Sequence, residues 1–293
     1  MSDLLNQASP PPEPVAEPPA ARKSRAGRNL PAAIAVGVGL ALLVIVPLFS
    51  PWRWLFVVVV ALAVAVGTRE VVLALRTLGA RPPLLPLVVG GAAMLAAAYR
   101  GGASALFLGL VLTMLACLVW RLADAAEGFL RDVAAATFTA TYVPFLAGFA
   151  ALMTVPSDGA RRVTTFVAVV VCSDVGGYAA GVLFGKHPMA PSVSPKKSWE
   201  GFAGSVTACA VGGAALYWTL LHANPLLGAV FGLAVVASAT LGDLGESMVK
   251  RDIGIKDMGT LLPGHGGLMD RLDSLLPTAP VAWLLLSAFV PLP

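Results

Sequence analysis

Acidic side chains are concentrated in one short segment of a chain that is otherwise mostly apolar. Residues 243–273 hold six of the 16 acidic residues. Asp243 and Glu246 are three residues apart, and so are Asp270 and Asp273, so each pair shares one face of a helix. Two carboxylate pairs without an accompanying His or Cys set favour Mg²⁺ over Zn²⁺. We therefore predict a magnesium site built from the two pairs, Asp243 with Glu246 and Asp270 with Asp273.

Glycines and cations lie between and beside these acidic pairs. Gly264, Gly266 and Gly267 come just before the second pair, where the backbone can approach a ligand closely and a helix N-terminus favours anions. The cations available to neutralise phosphate oxygens are Lys250, Arg251, Lys256 and Arg271. Together these features predict a polyphosphate substrate. The alternative is a solvated loop whose charges pair locally, for example Glu246 with Lys250.

A second polar segment lies at residues 171–204. Asp174 falls inside an apolar run, where an acid costs roughly 2.5–3.5 kcal/mol on insertion scales. It is therefore either a site residue facing a wet cavity or an acid at a helix end. Lys196 and Lys197 follow Ser194, and adjacent lysines can hold a lipid head group or a nucleotide phosphate. A general excess of positive charge on the inner membrane side is the competing explanation.

The composition requires a membrane. The chain has 293 residues, 57% of them hydrophobic and 12% charged, with a mean hydropathy of +0.82. A water-soluble fold would leave apolar surface that nothing covers. The net charge of +4 is too diffuse to indicate a nucleic-acid partner.

Apolar runs of near-spanning length predict an all-α, polytopic integral membrane protein with about nine transmembrane helices. The predicted spans are 31–49, 54–75, 84–99, 103–121, 133–154, 163–184, 202–221, 225–241 and 277–291. Lys and Arg are biased toward one set of loops, which predicts the N-terminus inside and the C-terminus outside. Arg161 and Arg162 disagree with that bias. Both polar segments then face the cytoplasm.

Three regions follow from these patterns. Residues 1–29 are rich in proline and lack an apolar run, which predicts a disordered cytoplasmic tail. Residues 30–165 are predicted to form N-terminal transmembrane helices. Residues 166–293 are predicted to form a catalytic transmembrane region with cytoplasmic loops.

The segment SMVKRDIGIKDMGTLLPGHGGLMDRLD, residues 247–273, resembles the signature of the phosphatidate cytidylyltransferases, also called CDP-diacylglycerol synthases. The matching positions are Ser247, Lys250, Arg251, Lys256, Asp257, Pro263, His265, Gly266, Gly267, Asp270, Arg271 and Asp273. SDVGGYAAGVLFGKH, VSPKKSWEG and GDLGES are similar to three upstream blocks of that family. The resemblance covers about residues 172–273 and leaves the N-terminal tail aside.

The resemblance implies that CTP and phosphatidate react to give CDP-diacylglycerol and pyrophosphate. It implies a homodimer in the cell's inner membrane, with a Mg²⁺-dependent site, which can include K⁺, facing the cytoplasm. Asp243 and Asp270 are implied as metal ligands, with Glu246 and Asp273 as candidate further ligands. We interpret His265 as a positioning hydrogen bonder rather than a proton shuttle. The residues expected to bind substrate are Asp174, Ser194, Lys196, Lys197, Ser247, Gly264, Gly266 and Gly267. Whether the two lysines meet the lipid phosphate or the triphosphate stays open.

Two other function classes fit less well. A transporter would also place an acid within the membrane, but residues 31–165 contain no counterpart of the two polar segments. A CDP-alcohol phosphatidyltransferase resembles a family with a DGxxAR block, and SDGARR at 157–162 lacks its spacing.

Overall fold

Helices make up most of the described chain. The only sheet among the described residues is a two-stranded hairpin. The computed structural model describes residues 30–124, 126–259 and 266–291. The elements are α1 (Leu30–Phe49), α2 (Trp54–Thr77), α3 (Leu84–Leu122), α4 (Phe129–Ala140), a π-helical turn (Thr141–Phe145), α5 (Leu146–Met153), α6 (Gly159–Phe184), β1 (Pro188–Ala190), β2 (Ser194–Ser198), α7 (Trp199–Thr219), α8 (Pro225–Ile253), α9 (Met269–Leu272) and α10 (Leu275–Phe289).

Six helical segments of the described chain are long and apolar enough to cross a membrane. They are Trp54–Thr77, Leu84–Leu122, Phe129–Met153, Gly159–Phe184, Pro225–Ile253 and Met269–Phe289. The chain is thus an all-α, multi-pass membrane protein, as its composition predicts. The number nine and the direction of the termini stay predictions. The predicted tail, residues 1–29, lies outside the described residues.

Two of the predicted spans, 84–99 and 103–121, fall within the single element α3. That element has 39 residues and a non-helical backbone at Gly102, with φ 73° and ψ −163°. The sequence therefore marks the break correctly: two helices meet at Gly102, and Gly90 before the break lies against Thr113 after it.

Arg162, which the charge bias leaves unexplained, is a buried structural residue. Its guanidinium donates to the carbonyl oxygens of Leu286 at 2.8 Å and Val290 at 3.1 Å. It also pairs with Asp158 at 2.8 Å. These contacts supply side-chain donors at the end of α10, where a helix has few backbone donors left; the Leu286 carbonyl also accepts from the Val290 N–H at 3.1 Å. The arginine is therefore required where it lies, whichever side of the membrane it faces.

Helix α7 packs along both α6 and α8, and small residues allow the close approach. A side chain at Gly232 of α8 would collide with the carbonyl oxygen of Cys209 in α7. Because that atom belongs to backbone, it cannot move aside without shifting the helix. The α7–α8 spacing fixes where the polar residues of α8 lie relative to those before α7.

We expect Gly232→Ala to lower the free energy of unfolding by about 1–3 kcal/mol, because it overpacks the α7–α8 contact. Gly245→Ala in the same helix is the matched control, since a Cβ there meets no atom within 4 Å. It should be neutral or stabilising by up to about 1 kcal/mol. Thermal unfolding in detergent measures both variants. Equal stability of the two would contradict the close-packing explanation.

Candidate active site

A polar cavity of about 350 Å³ lies between α6, α7, α8 and the β-hairpin. Its charged lining residues are Asp174 from α6, Lys196 and Lys197 from β2, and Asp243 from α8. Asp174 thus lines this cavity, and its role as a site residue stays a prediction. Residues from three separate segments of the chain meet here, including both predicted polar segments.

The hairpin that carries the two lysines is fixed to the start of α7. Its strands pair antiparallel, with Ala190 opposite Ser194. The Trp199 N–H donates to the carbonyl of His187 at 3.0 Å, and the His187 ring lies 2.5 Å from the Glu200 carboxylate. The hydrogen bond from the His187 side chain, helped by backbone N–H groups, lowers the pKa of Glu200 to about 2. Ionised Glu200 in the first turn of α7 also suits the helix dipole.

Asp243 connects the hairpin to the acidic segment. Its carboxylate forms an ion pair with Lys197 and accepts a long hydrogen bond from the Ser247 hydroxyl at 3.4 Å. The neighbouring Gly242 lies so close to the start of α10 that a Cβ there would be 2.6 Å from the carbonyl oxygen of Asp273. The carboxylates of Asp243 and Asp273 consequently repel each other across this contact.

Lys250 joins the two acidic pairs. Its ammonium donates to Glu246 at 3.1 Å and to Asp270 at 2.9 Å. Glu246 is fully buried, and its second oxygen, Oε2, has no hydrogen-bond partner within the described chain. The local pairing of Glu246 with Lys250 that the sequence offered as an alternative therefore exists, but Lys250 also bridges to the signature segment.

Asp270 is the most completely hydrogen-bonded carboxylate of the cluster. Besides Lys250, it accepts from the backbone N–H of Met258 at 3.0 Å and of Gly267 at 2.8 Å. Gly266 has φ +79°, and a Cβ there would lie 2.9 Å from the Asp270 carboxylate. Left-handed backbone next to a carboxylate is where glycine is required. Gly266 and Gly267 thus contact Asp270, whereas their predicted contact with a phosphate stays a prediction.

The predicted cations differ in position. Arg271 is exposed and acts electrostatically on Asp174. Arg251 is also exposed and donates to the carbonyl of Val193 in the hairpin at 3.4 Å. Lys256 lies exposed in the loop after α8. Gly264 and His265 fall outside the described residues, so their predicted roles stay predictions.

Glu70 in α2 is a site residue that the sequence analysis missed. It is 5% exposed, and its two oxygens accept from the backbone N–H groups of Leu268 at 3.0 Å and Met269 at 2.8 Å. A Cβ at Gly259 would collide with this carboxylate. Glu70 therefore caps the helix that carries Asp270. The available signal was an acid inside an apolar span, the same signal that singled out Asp174.

Tyr142 is a second residue that the sequence analysis missed, and unlike Glu70 it has no sequence signal. It lies in the π-helical turn, and its hydroxyl is buried without a hydrogen-bond partner in the described chain. It interacts electrostatically with Glu246, Asp273 and Asp243. Single π turns inside helices occur frequently at functional sites, because the extra residue re-aims a side chain.

Comparison with known proteins identifies a family and relatives that match most of the chain. The model of the Cytidylyltransferase family matches residues 31–289. A phosphatidate cytidylyltransferase of Mycobacterium bovis is 45% identical over 296 aligned residues, covering 96% of this chain and 96% of that protein. The Mycobacterium leprae protein of the same name is 46% identical, covering 90% and 89%. That of Haemophilus influenzae is 39% identical over 48% of this chain and 52% of its own length. The chain belongs to the cytidylyltransferase family.

Proposed function

We propose that the chain is a phosphatidate cytidylyltransferase, which converts CTP and phosphatidate to CDP-diacylglycerol and pyrophosphate in phospholipid biosynthesis. The observation that carries the proposal is the polar cavity, where lysines and carboxylates meet inside a bundle of membrane-spanning helices. The names of the relatives that match nearly the whole chain support the same reaction.

In this reaction a phosphate oxygen of phosphatidate attacks the α-phosphorus of CTP. A new P–O bond forms, the bond to the β-phosphate breaks, and pyrophosphate leaves. The second pKa of a phosphate monoester is about 6, so the attacking group is largely ionised near neutral pH. The protein therefore has no need of a strong general base. Its work is to position two anions that repel each other and to neutralise the leaving group.

The lysines of the cavity are suited to that work. Lys197 is held beside Asp243 and Lys196 is exposed on the cavity wall, so both can meet phosphate oxygens. Arg271, which follows Asp270 in the chain, supplies a further cation, and like Arg251 and Lys256 it is exposed. Ser194 and Ser247 add hydroxyl groups at the hairpin and at Asp243. His265 and Gly264 complete the predicted phosphate turn.

The donor chemistry of the cluster fits Mg²⁺, with K⁺ as a candidate companion. Asp243, Glu246 and Asp273 concentrate carboxylate oxygens, and buried Oε2 of Glu246 lacks a partner within the described chain. In that part of the chain, no three His, Cys, Asp or Glu side chains converge as a preformed metal site. Mg²⁺ commonly needs only one or two carboxylates together with substrate phosphates. We therefore propose Asp243 and Asp270 as ligands, with Glu246 and Asp273 as further candidates.

When bound, the metal would supply positive charge for the phosphate oxygens. The Asp270 oxygens already accept four contacts, against about four lone-pair sites on a carboxylate: one from Lys250, one from the Gly267 N–H, and two from the Met258 N–H, which both oxygens share. A cation at Asp270 therefore requires Lys250 to give up its contact. Lys250 still has Glu246 as a partner, so its ammonium would stay neutralised.

We also propose nine transmembrane helices, with the N-terminus and the active site on the cytoplasmic side of the inner membrane, and a homodimer. The lysine and arginine bias of the loops supports the orientation. The dimer rests on the family resemblance, and its mass in detergent would test it.

Labelling of a single cysteine at position 265 tests the orientation. In a background lacking Cys117, Cys172 and Cys209, an impermeant thiol reagent should label this site in inverted vesicles and not in intact cells. The basic segments around the signature have to face the cytoplasm for this result. Labelling of intact cells would reverse the orientation.

The reaction itself is tested with the purified full chain, phosphatidate, Mg²⁺ and radiolabelled CTP. The expected result is label in a lipid-soluble product together with released pyrophosphate. ATP and dCTP serve as nucleotide comparators. Replacing phosphatidate with CDP-diacylglycerol and an alcohol tests the rival phosphatidyltransferase activity. A chain that remains folded but transfers no label from CTP would overturn the proposal.

A further inference from the structure

A second cavity, of about 410 Å³, lies on another side of the bundle from the polar one. It is bounded by residues 43 and 44 of α1, by α2, α5 and α6, and by the segment 268–279. Its volume is within the roughly 300–1,000 Å³ range of ligand pockets. We call this cavity the apolar groove. Among the described residues that line it, Arg271 is the charged one.

The two ends of the apolar groove differ in charge. Arg271, Leu272, Leu275, Leu276 and Ala279 all line it, and their spacing places them along one face of the helical segment that begins at Met269. From Arg271 to Ala279 a helix rises about 12 Å. The groove therefore runs along apolar side chains from a cationic end into the body of the bundle.

Arg271 also connects the groove to the polar cavity. Arg271 lies three residues before Ser274, which lines the polar cavity, and Leu275, which follows Ser274 directly, lines the groove. A ligand with an anionic head at Arg271 and an apolar tail would place its head beside the acidic cluster and its tail in the groove. A phospholipid with a terminal phosphate has this combination of charge and shape.

We propose that the apolar groove binds an acyl chain of phosphatidate, with the lipid phosphate at Arg271. This inference rests on the proposed function and assigns the two substrates to different cavities. Lys196 and Lys197, on the far wall of the polar cavity, then serve the nucleotide phosphates. The groove is thus the part of the enzyme that senses acyl-chain length.

Two neighbouring valines of α2 provide a matched test. Val59 lines the groove, whereas Val58 is 43% exposed and is not part of its lining. Val59→Trp should raise the KM for a long-chain phosphatidate at least about tenfold, since displacing even two methylene groups from an apolar site has an effect of that size. The KM for CTP, and turnover of a dihexanoyl phosphatidate, should stay within about twofold. Val58→Trp should match the unchanged chain in every respect.

The possible results separate a failure of the acyl-chain assignment from a failure of the proposed function. Equal effects of Val59→Trp on long-chain and dihexanoyl substrates, or equal effects of the two tryptophans, would overturn the acyl-chain assignment. If the unchanged chain gives no product from CTP, it is the proposed function that fails. If Val59→Trp does not fold, Ala63→Leu is the replacement test variant, because it adds a smaller side chain to the same groove.

Photolabelling of the unchanged chain is independent of any substitution. A phosphatidate with a diazirine in one acyl chain should label peptides from 54–77 and 268–279. Excess unlabelled phosphatidate should prevent this labelling, and the same amount of phosphatidylcholine should not. Equal competition by both lipids would indicate general bilayer contact and overturn the proposal.

Discussion

Replacing Asp243 by asparagine is expected to reduce CTP-dependent turnover by more than about 10³-fold, beyond the loss typical of one electrostatic donor. The substitution removes a negative charge from the polar cavity and leaves Lys197 without its carboxylate partner. Asp270→Asn is expected to have a similar effect on turnover. It should also destabilise the chain, because an amide nitrogen would face Lys250 or a backbone N–H.

The measurement is turnover in membranes at matched expression, with Mg²⁺ titrated over a wide range. Asp252→Asn is the matched control, since Asp252 lies on the same helix as Asp243 but is exposed. The control should keep normal turnover and an unchanged Mg²⁺ requirement. Near-normal activity of either Asp243→Asn or Asp270→Asn would refute the metal assignment.

Replacing Glu70 by alanine is expected to lower kcat by about 10²-fold, although we place Glu70 outside contact with substrate. Its carboxylate accepts two backbone hydrogen bonds at the start of the helix that carries Asp270. Hydrogen bonds to charged groups contribute about 1.5–3 kcal/mol each. Their loss releases the helix start, and a displacement of about 1 Å in a catalytic group can cost 10²-fold in rate.

Two further variants separate positioning from general stability. Glu70→Gln keeps one acceptor oxygen and should recover part of kcat. Val71→Ala removes a neighbouring side chain that is 1% exposed, so it should lower the unfolding temperature yet leave kcat unchanged. If Val71→Ala and Glu70→Ala reduce kcat equally, Glu70 has no special positioning role.

The sequence predicts which polar residues lie together where those residues are close in the chain or fall in a recognisable pattern. The spacing of Asp243 and Glu246 and the cluster around Asp270 indicated an acidic site, and the structure joins them through Lys250. The signature also indicated a glycine turn, and Gly266 has the positive φ that such a turn needs.

Contacts between distant segments could not be predicted in this way. Glu70 is separated from Met269 by 199 positions, and no spacing rule connects a single acid to a backbone N–H so far along the chain. The sequence analysis predicted helices and missed the hairpin, because only a few residue pairs, close in the chain, join its two strands. The π-helical turn depends on packing against α3 and α5, which local propensity does not record.

The helix boundaries show a related limit. The predicted span 225–241 marks the apolar part of α8, but the helix continues to Ile253 and ends at Gly254, which has φ +79°. Hydropathy identifies residues that can lie in hydrocarbon, whereas helical hydrogen bonding continues through the charged residues beyond. The site residues of α8 therefore lie on a rigid helix rather than in a loop.

The contact between Glu70 and the start of α9 has a consequence for biogenesis. Helix α2 leaves the ribosome early, whereas its partners Leu268 and Met269 follow nearly two hundred residues later. The amide groups that Glu70 holds are therefore synthesised long after Glu70 has left the ribosome. This contact cannot form during insertion of α2 itself, and a chain truncated before residue 268 is expected to insert α2 with the Glu70 carboxylate lacking these two donors.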